Sequence, residues 1–289
     1  LAKQSSKTIS KAATPVNLQV RETKKIMLYT QKNAETQIDI GKQTRIGENV
    51  TFGPSCKTIS IGFGCFLGRD LYIDVEHLTI GDYTTIHHGG IIHGIETSIG
   101  HNCWFGHYCI IDSLGGLTRI GNNVGAGAHS QLWSHMKFGD MLAGCRWNSS
   151  GSLILEDDVW LVGHSITGPI KAAKRSMLMT GSVAVKDLEE NHIYSGSPAK
   201  DITAHLGLQF DDPDLEQRQK NFASLKAQYA KETGLSVEAF LDVSSFDPVT
   251  ANVTQFNLME RTYRPRYTQD EYGFMRFLLY DRAKFVPVN

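Results

Sequence analysis

The chain has 289 residues, with Lys+Arg 29 against Asp+Glu 30 and a formal net charge of -1. That length can bury a large core plus additional elements, and so balanced a charge removes any global electrostatic basis for a nucleic-acid or membrane-surface partner. No run approaches the ~18–20 consecutive apolar residues of a membrane span, and the first twenty residues lack an apolar signal core.

Residues 1–38 are rich in Lys and Thr and show little pattern before IMLYTQ, so an N-terminal arm is expected there. From residue 39 a repeat of six residues sets in. Apolar heads fall at Ile40, Ile46, Phe52, then at Ile61, Leu67, Ile73, and onward through Ile80, Ile86, Ile92. The series goes on through Ile99, Phe105, Ile111, Ile120, Ala126 and Leu132, and resumes at Leu155, Leu161, Ala172, Leu178 and Ala184. Glycine follows the head at ten positions, among them Gly41, Gly62, Gly81, Gly100 and Gly121. Neither a 3.6-residue helix nor a two-residue alternation produces this beat. A parallel β-helix does: each unit is a short strand and a corner, three units close one triangular coil, and coils stack ~4.8 Å apart. About six coils are expected.

The repeat breaks at QLWSHMKFGDMLAGCRW (131–147), an excursion spanning 136–152, and resumes with LEDDVWLVG. Past residue 205 the pattern changes. A helical region is expected within 211–241, with Asp211 or Asp212 as its cap, Pro213 in its first turn, and Phe222, Leu225 and Tyr229 on its buried stripe. The aromatic- and arginine-rich end completes an α/β appendage over 206–289. The five cysteines contain no CxxC pair, and four lie within the repeat. Reduced, buried thiols of a cytoplasmic protein are expected.

Stacking turns the repeat into a ruler. The second position of the third face is Asp74, His93, Asp112 and Trp133 in consecutive coils, and the third position of the second face holds His88 and His107. His135 follows two residues after Trp133, where the repeat stops. A polar ladder of this kind is not needed to hold a β-helix together.

With its repeat, EDDVWLVG (156–163), GSVAVKD (181–187) and SGSPAKDI (195–202), the sequence resembles the hexapeptide-repeat acyltransferases over roughly residues 40–205. The resemblance implies a left-handed β-helix, a homotrimer, and acyl transfer from acetyl-coenzyme A to a hydroxyl or amine, with saccharides and glycan precursors as the expected acceptors. It places the general base at the end of a coil just before an excursion, which is His135. Asp112, one coil earlier, is the candidate orienting partner, offset by two positions. His129 is the next candidate base, although it falls inside the repeat. Histidine suits the role because its ordinary pKa leaves it neutral yet basic near pH 7.

The same resemblance implies coenzyme contacts. Trp160 would stand beside the pantetheine arm, and Gly181, Ser182 and Ala184 would line its channel. Lys186 and Lys200 would lie near the nucleotide phosphates. A tetrahedral intermediate also needs donors to its oxyanion, for which backbone N–H groups near Gly163 or in the following coil are the candidates. Trp133, Arg146, Trp147 and His93 are candidate acceptor contacts. A rival resemblance exists: IHHGGIIHG (86–94) is similar to the zinc motif of γ-class carbonic anhydrases. It implies His88 and His93 as ligands from neighbouring subunits, with Asp74 standing where a third histidine is expected. A non-catalytic trimeric scaffold is the third alternative.

Overall fold

The computed structural model describes residues 29–247 and 253–288. It is a parallel β-solenoid with three ladders. The first ladder stacks Gln37–Ile40, Thr58–Ile61, residues 77–80 and 96–99, Thr118–Ile120, Leu153–Leu155 and Lys171–Ala172. The second runs from Arg45–Ile46 through Phe66–Leu67, Thr85–Ile86, Trp104–Phe105, Gly125–Ala126, Trp160–Leu161 and Met177–Leu178 to Ile193–Gly196. The third starts at Tyr29–Gln31 and ends at Val183–Ala184. In two coils one nine-residue strand, Tyr72–Ile80 or Ile91–Ile99, serves the third and first ladders in turn.

The solenoid has about nine turns where the sequence suggests six; the second ladder stacks eight parallel strands, and the antiparallel Ala199–Asp201 is the ninth strand of its sheet. The extra rungs lie at the ends. Tyr29–Gln31 pairs with Val50–Phe52, inside the expected arm, and Ile193–Tyr194 stacks on Met177–Leu178 before Ala199–Asp201 turns back antiparallel. The added rungs at Tyr29–Gln31 and Ile193–Tyr194 carry no head-plus-glycine pair, so the six-residue beat passes over them. The rest of the arm, residues 1–28, lies outside the described residues.

The apolar heads from Phe52 to Ala184 point into the prism and are buried. One core position escapes the apolar beat: Thr167 is fully buried six residues after Leu161, and its hydroxyl has no partner among the described residues. Corners demand a left-handed backbone, and the chain meets that demand with Asn49, Asp70, Asn102, Asn123 and Asp158 as well as with glycine. Cys56, Cys65, Cys103 and Cys109 are free and buried, and Cys145 is free and exposed. Burial pushes the Cys65 and Cys103 thiols up to about 12, so they are inert core residues.

After the solenoid come three helices: α1 (Thr203–Leu206), α2 (Leu215–Thr233) and α3 (Gln269–Leu278). Asp214, rather than Asp211 or Asp212, caps α2 by accepting the Gln217 N–H, so Pro213 precedes the helix instead of opening it. Phe222 and Tyr229 are buried and Leu225 packs beside them, as the helical spacing predicts. A four-stranded sheet of Phe240–Asp242, Thr254–Asn257, Thr262–Tyr263 and Val286–Pro287 completes this part. Its core of stacked rings, with Phe240 on Phe274 at 4.2 Å, extends to Phe63 and Tyr83 of the solenoid. Arg261 locks the two parts together through a bidentate pair with Asp158, 2.8 Å for each contact. Among the described residues, no helix is long and apolar enough to cross a membrane.

Candidate active site

The third ladder sets the register on which the site is built. Asp74 pairs with His93, and His93 with Asp112, so the three side chains emerge one coil apart on one face. Asp74 accepts the Ser55 N–H at 2.8 Å and the Tyr72 hydroxyl at 3.2 Å. Asp112 is fully buried and collects donors: the Ser134 N–H at 3.0 Å, the Ser134 hydroxyl, and the Leu114 N–H at 3.2 Å. Burial works against its charge, but these bonds together with His135 outweigh it and hold the carboxyl below its ordinary value.

His135 Nδ1 lies 2.9 Å from Asp112 Oδ2. An ionised carboxylate only accepts, so Nδ1 carries the proton and Nε2 keeps its lone pair. That is the arrangement of a general base with its orienting partner. Local structure explains why an offset of two positions still meets. Ser134 is pulled in by Asp112, its hydroxyl accepts the Gly115 N–H at 2.8 Å, and its carbonyl accepts the Gly151 N–H at 3.0 Å. The excursion then leaves as a hairpin, His135–Lys137 pairing antiparallel with Asn148–Ser150.

Two further expected residues join His135. His93 Nε2 stands 3.5 Å from Asp112 Oδ1, so one carboxylate serves two imidazoles. Trp133 meets His93 and His135 edge-on, with ring centroids 6.2 and 6.1 Å away. Arg146 and Trp147 stand apart from this cluster on the exposed hairpin tip, with Phe138, Met141 and Leu142.

The expected coenzyme residues are divided. Gly163, Gly181 and Ser182 meet at the junction of the second and third ladders, where the Gly181 N–H donates to the Gly163 carbonyl at 3.2 Å. Gly181 has φ +68, and open space stands where its side chain would be. Ser182 is buried and its hydroxyl accepts the Gly196 N–H at 3.0 Å. Ala184 heads a unit and points into the prism, so only its backbone can line an outer channel. Lys186 and Lys200 are exposed. Trp160 is on the outer side of the second ladder and lines a cavity beneath residues 206–289, on a different face from Gly181 and Ser182. His135 stands at the junction of the third and first ladders. One chain therefore puts His135 and the Gly163–Gly181 corner on opposite edges of the third ladder.

His129 lies between Tyr108 and His164 in an exposed stack, with centroid spacings of 5.2 and 4.9 Å. No acidic partner is seen for its ring among the described residues. Within one chain His88, His93 and Asp74 do not converge. His88 instead groups with His87 and His107, their nitrogens within 4.8 Å of one another. Its Nδ1 accepts the Arg69 N–H at 2.8 Å, so in the neutral ring Nε2 holds the proton and offers no lone pair to a metal.

No protein-family model matches the chain, and no curated protein does. Solved structures do. The polysialic-acid-specific acetyltransferase NeuO is 16% identical, covering 70% of this chain and 98% of its own, with a TM-score of 0.49. The polysialic acid O-acetyltransferase OatWY is 18% identical over 65% of this chain and 98% of its own, with a TM-score of 0.37. AntD, an N-acyltransferase from Bacillus cereus, is 16% identical over 60% of this chain and 92% of its own, with a TM-score of 0.38. Each of these proteins is an acetyl- or acyltransferase. A hexapeptide-repeat acetyltransferase from Vibrio cholerae also matches, at 16% identity and a TM-score of 0.31.

Proposed function

We propose that this protein is an acyltransferase that moves an acetyl or other short acyl group from acyl-coenzyme A to a hydroxyl or amine of a saccharide, with His135 as general base. The observation that carries it is the buried Asp112 carboxylate on His135 Nδ1, which leaves Nε2 as a free base at the end of a rigid ladder. An acceptor O–H or N–H donates to Nε2 and loses its proton as it attacks the thioester carbonyl. The carbonyl carbon becomes tetrahedral, and its collapse breaks the C–S bond. The proton held on His135 then passes to the departing thiolate, so the base is regenerated. Trp133 beside the base offers a flat apolar wall for a sugar ring, and His93 offers a second polar edge.

The site needs more than one copy of the chain. The base and the open corner at Gly181 occupy opposite edges of the third ladder, so a neighbour must bring its own corner to His135. The outward residues of this ladder fit such packing: Tyr72 is 41% exposed and Ile91 38% exposed, an apolar stripe beside His93. A homotrimer closed around these faces would supply three equivalent sites, with Gly163, Gly181 and Ser182 of one copy lining the coenzyme channel against the base of the next.

The test is incubation of the purified protein with acetyl-coenzyme A and a panel of saccharide hydroxyl and amine acceptors, following free thiol and product mass. Acceptor-dependent thiol release with one acyl group added is expected. Thiol release that no acceptor stimulates would contradict acyl transfer to a saccharide, and carbon dioxide hydration with about one bound zinc per subunit would favour the rival chemistry.

A further inference from the structure

A cavity of about 690 Å³ lies between the second ladder and residues 206–289, well within the size range of small-molecule sites. It opens near the junction of the first and second ladders, marked by Asn102, Asn123 and Asp158, and so lies on another side of the prism from His135. Its wall is aromatic. Trp104, Trp160, Phe210 and Tyr280 line it, with Trp160 47% and Tyr280 53% exposed. Rings left open to solvent beside a cavity are poor core packing and good platforms for the C–H face of a sugar ring.

The charge on the wall narrows the ligand. Arg175, Arg218, Arg261, Arg282 and Lys284 line the cavity, as do Asp158, Asp211 and Asp281. Arg261 is spent on Asp158, and Arg175 is spent on Asp212 at 2.7 Å. Arg282 bonds the Phe277 carbonyl and Lys284 the Tyr280 carbonyl, and neither forms an ion pair among the described residues. With those two pairs set aside, Arg218, Arg282 and Lys284 stand against Asp211 and Asp281, a surplus of about one positive charge, which suits a single carboxylate and falls short of a polyphosphate. Hydrogen-bonding capacity is also unspent. Trp104 Nε1, Arg175 Nε, Asn102 Oδ1 and Gln209 Oε1 are buried without a partner among the described residues, a mix of donors and acceptors that matches hydroxyl groups.

We infer that this cavity is a second saccharide site, which takes a pyranose carrying one carboxylate, its ring against Trp104, Trp160 and Tyr280 and its charge beside Lys284 and Arg282. Its service as an anchor for a long acceptor chain rests on the saccharide reading of the catalytic site; binding in the cavity does not.

The experiment is a titration of the full chain with hexuronic acid trisaccharides, their methyl esters and a nucleoside monophosphate, followed by tryptophan fluorescence and calorimetry. The acids are expected to bind, the neutral esters about tenfold more weakly or worse, with His135→Ala unchanged. Tyr280→Ala and Lys284→Ala are expected to lose at least about tenfold in affinity while circular dichroism stays native. Equal binding of acid and ester, preference for the nucleotide, no binding, or loss in His135→Ala with retention in Tyr280→Ala would overturn the assignment. Should acyl transfer to saccharides fail while Tyr280-dependent binding persists, the catalytic reading falls and this one stands.

Discussion

Asp112 is the residue on which the site turns. Its carboxylate has no exposure, is held by Ser134 and Leu114, and fixes His135 by one oxygen while standing near His93 with the other. Asp112→Asn keeps the shape but replaces an acceptor-only group with one that can donate, so the His135 proton moves to Nε2 and the base is lost. Turnover is expected to fall by about 10²-fold or more, the upper end of such a tautomer effect being about 10⁴. Steady-state kinetics check this, with coenzyme binding as the control. The depressed carboxyl also has a stability consequence. Its contribution is complete above its unfolded value of about 4 and disappears as pH falls through the lower folded value. Denaturant melts of wild type and Asp112→Asn are therefore expected to differ at pH 7 and to converge in strong acid; a constant gap would contradict the linkage.

At the scale of the element, the six-residue unit accounts for what was legible and what was not. The ruler placed Asp74, His93 and Asp112 in one column, and the ladder pairs them in that register. It could not place His135 well, because the chain has left the repeat at Ser134 and the meeting with Asp112 depends on bonds from Gly115 and Gly151. Nor could it show that Trp160 faces a cavity, since the opposite wall comes from residues 206–289, far along the chain. Thr167 broke the apolar beat and hid a core position, and the added rungs at Tyr29–Gln31 and Ile193–Tyr194 lacked the head-plus-glycine pair. Those glycines have a mechanical reason. A methyl group on Gly100 would lie 2.6 Å from the Gly121 backbone carbon and oxygen in the next coil. Gly100→Ala is expected to destabilise the solenoid by about 1–3 kcal/mol, measured by urea denaturation. An unchanged midpoint would mean that the coils slide apart freely.

Across the whole molecule the proposed functions fall on different sides of the prism: His135 at one corner, the Gly163–Gly181 turn at another, and the aromatic cavity on the second ladder under the last eighty-odd residues. In the proposed reading, assembly joins the first two. Sedimentation is expected to give three copies per particle, and Ile91→Glu, which puts charge on the exposed stripe, is expected to release monomers that lack transfer activity but keep the solenoid's circular dichroism. A fully active monomer would remove the need for a neighbour. The hairpin tip also leaves Phe138 and Leu142 wholly exposed in one chain.

The most direct measurement is the turnover of His135→Ala beside wild type at saturating acetyl-coenzyme A and acceptor. The variant is expected to bind the coenzyme as tightly as wild type and to release thiol about 10²–10⁴-fold more slowly. Turnover within a few-fold of wild type would show that the Asp112–His135 pair is not the base.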